Sequence, residues 1–223
     1  MATASGSRAS LVIVGAGGHG IEVASYCEDR ADVRLLGFID DARPRGPRGA
    51  HEVLGGLEAL QRMCADARGE TIQYVTAVGD NATRKALVAK LGALGLANLK
   101  PFILVHGTAI QGVRVELGEG TCVAPGAIAT TAVRIGAHCI VNVGASVSHD
   151  CVVGDYCNLN PGSVVCGNVT LGEGCYIGAG AVIKQGITIG AWTTVGAGAV
   201  VVRDLPAHVT AKGVPARASA REA

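Results

Sequence analysis

Aromatic residues are nearly missing from this chain of 223 residues: one Trp, two Phe and four Tyr make up 3%. A core built on large rings is therefore not expected, although apolar residues reach 49%. A dominant charge is also lacking. Nineteen Lys and Arg meet eighteen Asp and Glu, so there is no broad field to draw in nucleic acid or an anionic membrane. Long hydrophobic runs do not occur either. LVIVG (11–15) is far too short to span a bilayer, and the opening MATASGSRAS carries no apolar h-region behind a basic flank. These absences point to a soluble cytoplasmic protein with no nucleic-acid partner and no membrane insertion. Eight cysteines are present, yet no two stand in a C-x-x-C pair, which leaves small buried hydrophobes as the favoured reading.

Glycine, by contrast, is abundant, at 33 residues. A change of sequence pattern just past residue 100 divides the chain into two expected domains, 1–100 and 101–223. The first reads as an α/β unit. SLVIVGAGGHG is a short apolar strand entering a glycine-rich turn, and IEVASYCED continues at helical spacing. VRLLGFIDD is a second strand ending in acids, LEALQRMCADA a helix, TIQYVTAVGDN a third strand, and ATRKALVAKLGALG another helix. This alternation predicts a small Rossmann-like parallel sheet with helices packed on it. ARPRGPRGAHEV, rich in Arg, Pro and Gly, reads as a loop.

From about residue 104 the period changes to six. Ile135, Val141, Val147, Val153, Leu159, Val165, Leu171, Ile177, Ile183, Ile189, Val195 and Val201 are twelve consecutive sixth positions, all aliphatic. Val123 and Leu117 keep the phase upstream, Ala129 weakens it and Gln111 breaks it. Four residues after these positions comes a smaller slot, which holds Cys139, Cys151, Cys157 and Cys175, half of all the cysteines. A period of six belongs to neither an α-helix nor a plain strand; it is the signature of a hexapeptide β-helix, in which three hexads close one triangular coil. The aliphatic residue then points inward, and glycine often follows it, as at Gly136, Gly154 and Gly172.

This frame orients the pair His149–Asp150 in VSHDCVVG. Val147 and Cys151 occupy inward slots, so His149 and Asp150 project outward. An adjacent carboxylate can hold an imidazole in one tautomer, as a general base requires. Cys151 lies two residues away, but its slot turns it inward, away from a role as nucleophile.

Five features stand in one order: GAGGHG after the first strand, FIDD ending the second, VGDN ending the third, the HD pair within the hexads, and GVPAR near the C-terminus. Over residues 10–217 that combination resembles the hexapeptide-repeat sugar acetyltransferases of the sialic-acid O-acetyltransferase type. Its pattern is similar to that of the N-acetyltransferases acting on nucleotide-linked 4-amino-4,6-dideoxy sugars. The resemblance implies a left-handed parallel β-helix, a homotrimer and acetyl-CoA as cosubstrate, with no metal. It implies His149 as base, Asp150 as its orienting partner and Asn142 as a polar residue of the site. Asn158 falls where some relatives carry a second histidine. Gly167 would offer its N–H to the thioester carbonyl, Ala179 and Ala197 would lie along the pantetheine arm, and Lys212, Val214, Pro215 and Arg217 would fold near the adenine and phosphates. Gly17, Gly18 and His19 would contact phosphates or sugar, Asp40 or Asp41 the base or ribose, and Gly79, Asp80 and Asn81 would line the same pocket.

GAGGHG also fits the dinucleotide fingerprint, since backbone N–H groups at a helix N-terminus bind pyrophosphate whatever ligand carries it. With about ninety residues available and no dehydrogenase catalytic domain, a nucleotide sugar is preferred to NAD. The expected reaction is direct N-acetylation of a UDP- or GDP-linked 4-amino sugar. Sugar O-acetylation and a noncatalytic nucleotide-sensing trimeric scaffold are the alternatives. The γ-type carbonic anhydrases share the β-helix but need two histidines five residues apart, whereas His138 and His149 are eleven apart.

Overall fold

The computed structural model describes residues 8–28 and 30–220. They form two compact units: those up to residue 78 with 86–102, and 79–85 with those from 103 onward. In the first, β1 (Ala9–Val14), α1 (Gly18–Glu28), β2 (Val33–Ile39), β3 (Gly46–Arg48), β4 (His51–Gly55), α2 (Leu57–Asp66), β5 (Ile72–Thr76), α3 (Asn81–Ala93) and β6 (Leu99–Pro101) follow in order. Only the first turn of α3 groups with the second unit. The sheet order is β3-β4-β2-β1-β5-β6, parallel except for the antiparallel β3–β4 pair. Val12, Val14 and Ile39 of the central strands pack against Leu60 and Cys64 of α2 and Leu91 of α3. Burying each of these aliphatic side chains contributes roughly 1.5–3 kcal/mol.

The segment ARPRGPRGAHEV is not a loop. It folds into the β3–β4 hairpin, with Gly49 at φ +63 in the turn and Arg48 paired with His51. Glycine adopts that left-handed conformation without a Cβ penalty, and the one proline of the strand, Pro47, sits where the sheet ends.

The second unit is a left-handed parallel β-helix. Strands of two residues recur every six residues and fall into three sheets. Each pairs with the strand eighteen residues on: Val141 with Leu159, Ile177 and Val195 in turn. From Val123 to Val201 every sixth residue is at most 6% exposed, and the small slot is as deeply buried. Gln111 does not interrupt the coil. Ile110–Gln111 pairs with Ile128–Ala129 through its backbone, at the end of the prism where its side chain meets solvent.

The corners show why the sequence alternates as it does. Every sixth residue from Arg114 to Gly198 has φ between +53 and +76. Most are Gly or residues such as Asn168 and Asp150, for which the left-handed region is accessible. The glycines that follow the inward aliphatic serve another purpose: a Cβ on Gly154 would come 2.7 Å from the backbone nitrogen of Glu173 in the next coil. The slot cysteines serve the corners as well. Cys139, Cys157 and Cys175 donate their thiols to the carbonyls of Gly154, Gly172 and Gly190, at 3.1–3.2 Å.

Candidate functional site

His149 and Asp150 form one turn of the prism, and Gly167 holds the same place one coil later. Asp150 adopts φ +58, which swings its carboxylate back alongside the imidazole. His149 Nδ1 lies 2.9 Å from Asp150 Oδ2, with both side chains about half exposed. An ionised carboxylate only accepts, so Nδ1 carries the proton and Nε2 presents a lone pair. The ring lies over Gly167: a Cβ built there would stand 2.5 Å from both Cε1 and Nε2 of His149. The Gly167 N–H has no hydrogen-bond acceptor among the described residues, while its carbonyl accepts from Gly186 N at 3.0 Å. A base with a fixed tautomer therefore sits over an unengaged main-chain donor. Cys151 beneath them is fully buried, donates its thiol to the Cys166 carbonyl at 3.1 Å, and has its pKa raised by burial. That environment disfavours a thiolate nucleophile.

Asn142, Ala179 and Ala197 do not join this group. They lie along a different corner of the prism, the one that follows the Ile140–Val141, Tyr176–Ile177 and Thr194–Val195 strands. Ala179 and Ala197 are exposed, stacked one coil apart through the bond from Gly198 N to the Ala179 carbonyl. The Asn142 side-chain carbonyl accepts from its neighbour Val143 N at 2.7 Å. The tail forms an antiparallel hairpin, Val209–Lys212 with Arg217–Ala220, which places Lys212 opposite Arg217. Val214 and Pro215 make its turn, with Val214 72% exposed.

In the α/β unit a cavity of about 190 Å³ is lined by Gly15, Asp40, Asp41 and Leu57 among others. Both acids brace backbone. Asp40 accepts from Ala16 N at 2.7 Å and Ala42 N at 2.9 Å, and Asp41 accepts from Leu57 N at 2.8 Å. Within GAGGHG the glycines differ in role. A side chain on Gly15 would strike the Ala77 carbonyl, and one on Gly20 would strike Gly15, whereas Gly17 and Gly18 face open space. His19 Nδ1 pairs with Glu22 at 2.9 Å, and its buried Nε2 has no hydrogen-bond partner among the described residues.

Gly79, Asp80 and Asn81 do not line that cavity; they belong to the β-helix unit. Asp80 caps α3 by accepting from Thr83 N at 2.8 Å, as its position before the helix favours. Asn81 and Asn158 are buried and engaged: Asn81 donates to the carbonyls of Gly174 and Cys175, and Asn158 donates to Gly79 at 2.6 Å. Their amides fasten the Gly79–Lys85 segment, and Asp80 and Asn81 line a separate cavity of about 230 Å³ with Gly174, Tyr176, Trp192 and Thr194. Arg84 completes the fastening. It is fully buried and donates to the carbonyls of His138 at 2.9 Å and Tyr156 at 2.8 Å. Burial lowers its pKa to about 10.

Comparison with known proteins fits this architecture. Residues 10–91 match the PglD N-terminal domain, and residues 168–203 match the bacterial transferase hexapeptide family of six repeats. A curated relative, UDP-N-acetylbacillosamine N-acetyltransferase of Bacillus subtilis (strain 168), is 39% identical over 117 residues; the match covers 51% of this chain and 50% of that protein. The chain thus aligns with about half the length of that curated relative. Among solved structures, a mutant of perosamine N-acetyltransferase from Caulobacter crescentus, in complex with CoA and GDP-perosamine, is 35% identical with a TM-score of 0.85. That match covers 99% of this chain and 100% of the other. The acetyltransferase domain of PglB from Neisseria gonorrhoeae, in complex with acetyl coenzyme A, is 31% identical with a TM-score of 0.83, covering 96% of this chain and all of the other. A glycine-loop α/β unit, an unbroken run of hexads and full-length similarity at this level coincide, and the chain belongs to the hexapeptide-repeat sugar N-acetyltransferases with a PglD-type N-terminal domain.

Proposed function

We propose that this protein transfers the acetyl group of acetyl-CoA to the 4-amino group of a nucleotide-linked 4-amino-4,6-dideoxy sugar, without an acyl-enzyme. The observation that carries this reading is the His149 ring, held through Nδ1 by Asp150 and poised over the unengaged N–H of Gly167. The solved relative with CoA and GDP-perosamine was studied with one histidine changed to asparagine, and also with one changed to alanine. His149 accepts the proton of the sugar amine through Nε2 as the C–N bond forms at the thioester carbonyl carbon. Gly167 donates its N–H to the oxygen as negative charge develops there. The C–S bond then breaks, and the imidazolium returns the proton to the departing CoA thiolate.

The residues present suit both substrates. Small exposed side chains at Ala179 and Ala197 leave corner backbone accessible to an extended pantetheine arm. Lys212 and Arg217, opposite each other in the tail hairpin, supply cations for phosphates. Gly17, Gly18 and His19 offer the start of α1 to a diphosphate, with the Asp40–Asp41 cavity beside them for the nucleoside.

Corners of one convex prism diverge, so Ala179 and Ala197 cannot face His149 of the same chain. A cyclic homotrimer brings the first corner of one subunit opposite the other corner of its neighbour and completes the cleft. No helix among the described residues is long and apolar enough to cross a membrane, which suits a cytoplasmic enzyme using soluble acetyl-CoA.

The test is a mass-spectrometric screen of acetyl-CoA against UDP- and GDP-linked 4-amino-4,6-dideoxy sugars and sialic acid. Acetylation of an amino sugar is expected. Product from sialic acid alone would reassign the chain to O-acetylation, and CoA binding without any turnover would make it a scaffold. Sedimentation checks the assembly, for which an active monomer would be the refuting result.

A further inference from the structure

We propose that Arg48 is the side-chain cation that grips the diphosphate of the nucleotide-linked substrate, a role resting on the nucleotide-sugar reading above. Arg48 ends β3 in the hairpin that replaces the expected loop. Its Nε donates to the carbonyl of Ala16 at 2.9 Å, while the N–H of the same residue donates to Asp40 at 2.7 Å. The Ala16 peptide is thus clamped at both ends, which sets the direction of the Gly17 and Gly18 backbone just before α1.

The rest of the guanidinium is uncommitted. Arg48 is half-buried, and its two Nη groups have no hydrogen bond or ion pair with any described residue. A half-buried guanidinium normally finds a carboxylate, because leaving it unmatched in a partly desolvated place is costly. Around it lie main-chain donors and open space. Gly17 and Gly18 have nothing within 4 Å of a would-be Cβ, and the first turn of α1 leaves N–H groups without intrahelical partners. Main-chain donors beside a cation with no ion-paired acid among the described residues describe a receptor for a dianion. The planar fork of arginine suits phosphate oxygens in two-point contact.

Binding of UDP, GDP, uridine and guanosine to the full-length protein and its variants tests the assignment. For whichever diphosphate the wild type binds, Arg48→Met weakens affinity roughly 10- to 100-fold, the range of a lost charge-assisted contact, and Arg48→Lys recovers part of it. Affinity for the matching nucleoside stays within about twofold, since it presents no phosphate. The salt dependence of diphosphate binding also falls in the Met variant. Wild-type affinity of Arg48→Met for the diphosphate overturns the assignment, as does an equal loss for nucleoside and diphosphate, because a residue that only shapes the Ala16 turn behaves that way. A wild type that binds neither UDP nor GDP instead refutes the nucleotide-sugar reading, and Arg48 with it.

Discussion

Replacing Gly167 by alanine adds a single methyl group directly beneath the proposed base. The backbone is not the obstacle, since Gly167 is absent from the positive-φ residues and alanine can adopt its conformation. The obstacle is the ring of His149. A Cβ at 167 would stand 2.5 Å from Cε1 and Nε2, where ordinary contacts begin near 3.4 Å, so the imidazole must withdraw by about 1 Å. Such a shift loosens the Nδ1 bond to Asp150 and moves Nε2 off the path of the amine proton. Displacement on that scale costs on the order of a hundredfold in kcat, or about 2.7 kcal/mol in the barrier. The ring is half exposed and can swing into solvent, so global stability should change by less than about 0.5 kcal/mol. The assay is steady-state loss of the thioester with the amino-sugar acceptor found in the screen, paired with thermal melting. His149→Ala and the double variant complete a cycle. If the methyl acts only through the ring, the double variant is no slower than His149→Ala alone. A Gly167→Ala enzyme with wild-type kcat would refute the placement of the base over this glycine.

Three further outcomes follow from other parts of the fold. Cys151→Ala keeps turnover within about threefold, because a buried, raised-pKa thiol takes no part in direct transfer; a folded but inactive variant would restore a thiol mechanism. Arg84→Met strips the buried carbonyl of His138 and the partly buried carbonyl of Tyr156 of their donor and lowers the midpoint of urea denaturation by an amount equivalent to roughly 2–4 kcal/mol. An unchanged midpoint would mean the clamp is dispensable. Burial pushes the Cys27 thiol up from 9.0 to about 11. The unfolded chain therefore releases this proton first, and the group's stabilising contribution, complete below pH 9, is lost as pH rises towards 11. Denaturation curves below pH 9 and near pH 11 should differ less in Cys27→Ala than in the wild type.

The prism was legible because its rule is local and repeats. One aliphatic residue in six, a small residue four positions later and a glycine at the tight corner are each forced by the coil that follows, so twelve consecutive positions carry the same message. The hairpin at 46–55 was illegible for the opposite reason. Pro and Arg disfavour a central strand, and nothing in ARPRGPRGAHEV reveals that β3 is an edge strand where proline is tolerated. The engagement of Arg84, Asn81 and Asn158 was hidden by distance in sequence. Arg84 meets His138 across 54 positions and Asn158 meets Gly79 across 79. A polar residue next to VGDN looks the same whether it faces a ligand or a corner carbonyl.

For the candidate site, the information was present in a form that a period of six does not expose. Six separates inward from outward, but three hexads make a coil, so only positions eighteen apart share a corner. His149 and Gly167 are eighteen apart, and so are Ala179 and Ala197, yet the two pairs belong to different corners. Counting by eighteen along VSHDCVVGDYCNLNPGSVVCGNV therefore sets the glycine under the imidazole before any coordinates are known. The same count shows that no single chain can unite this pair with the proposed pantetheine residues. On the proposed assignment of those residues the cleft needs a neighbour, and assembly becomes a condition of catalysis: diluting the proposed trimer to dissociate its subunits should abolish turnover while each prism stays folded.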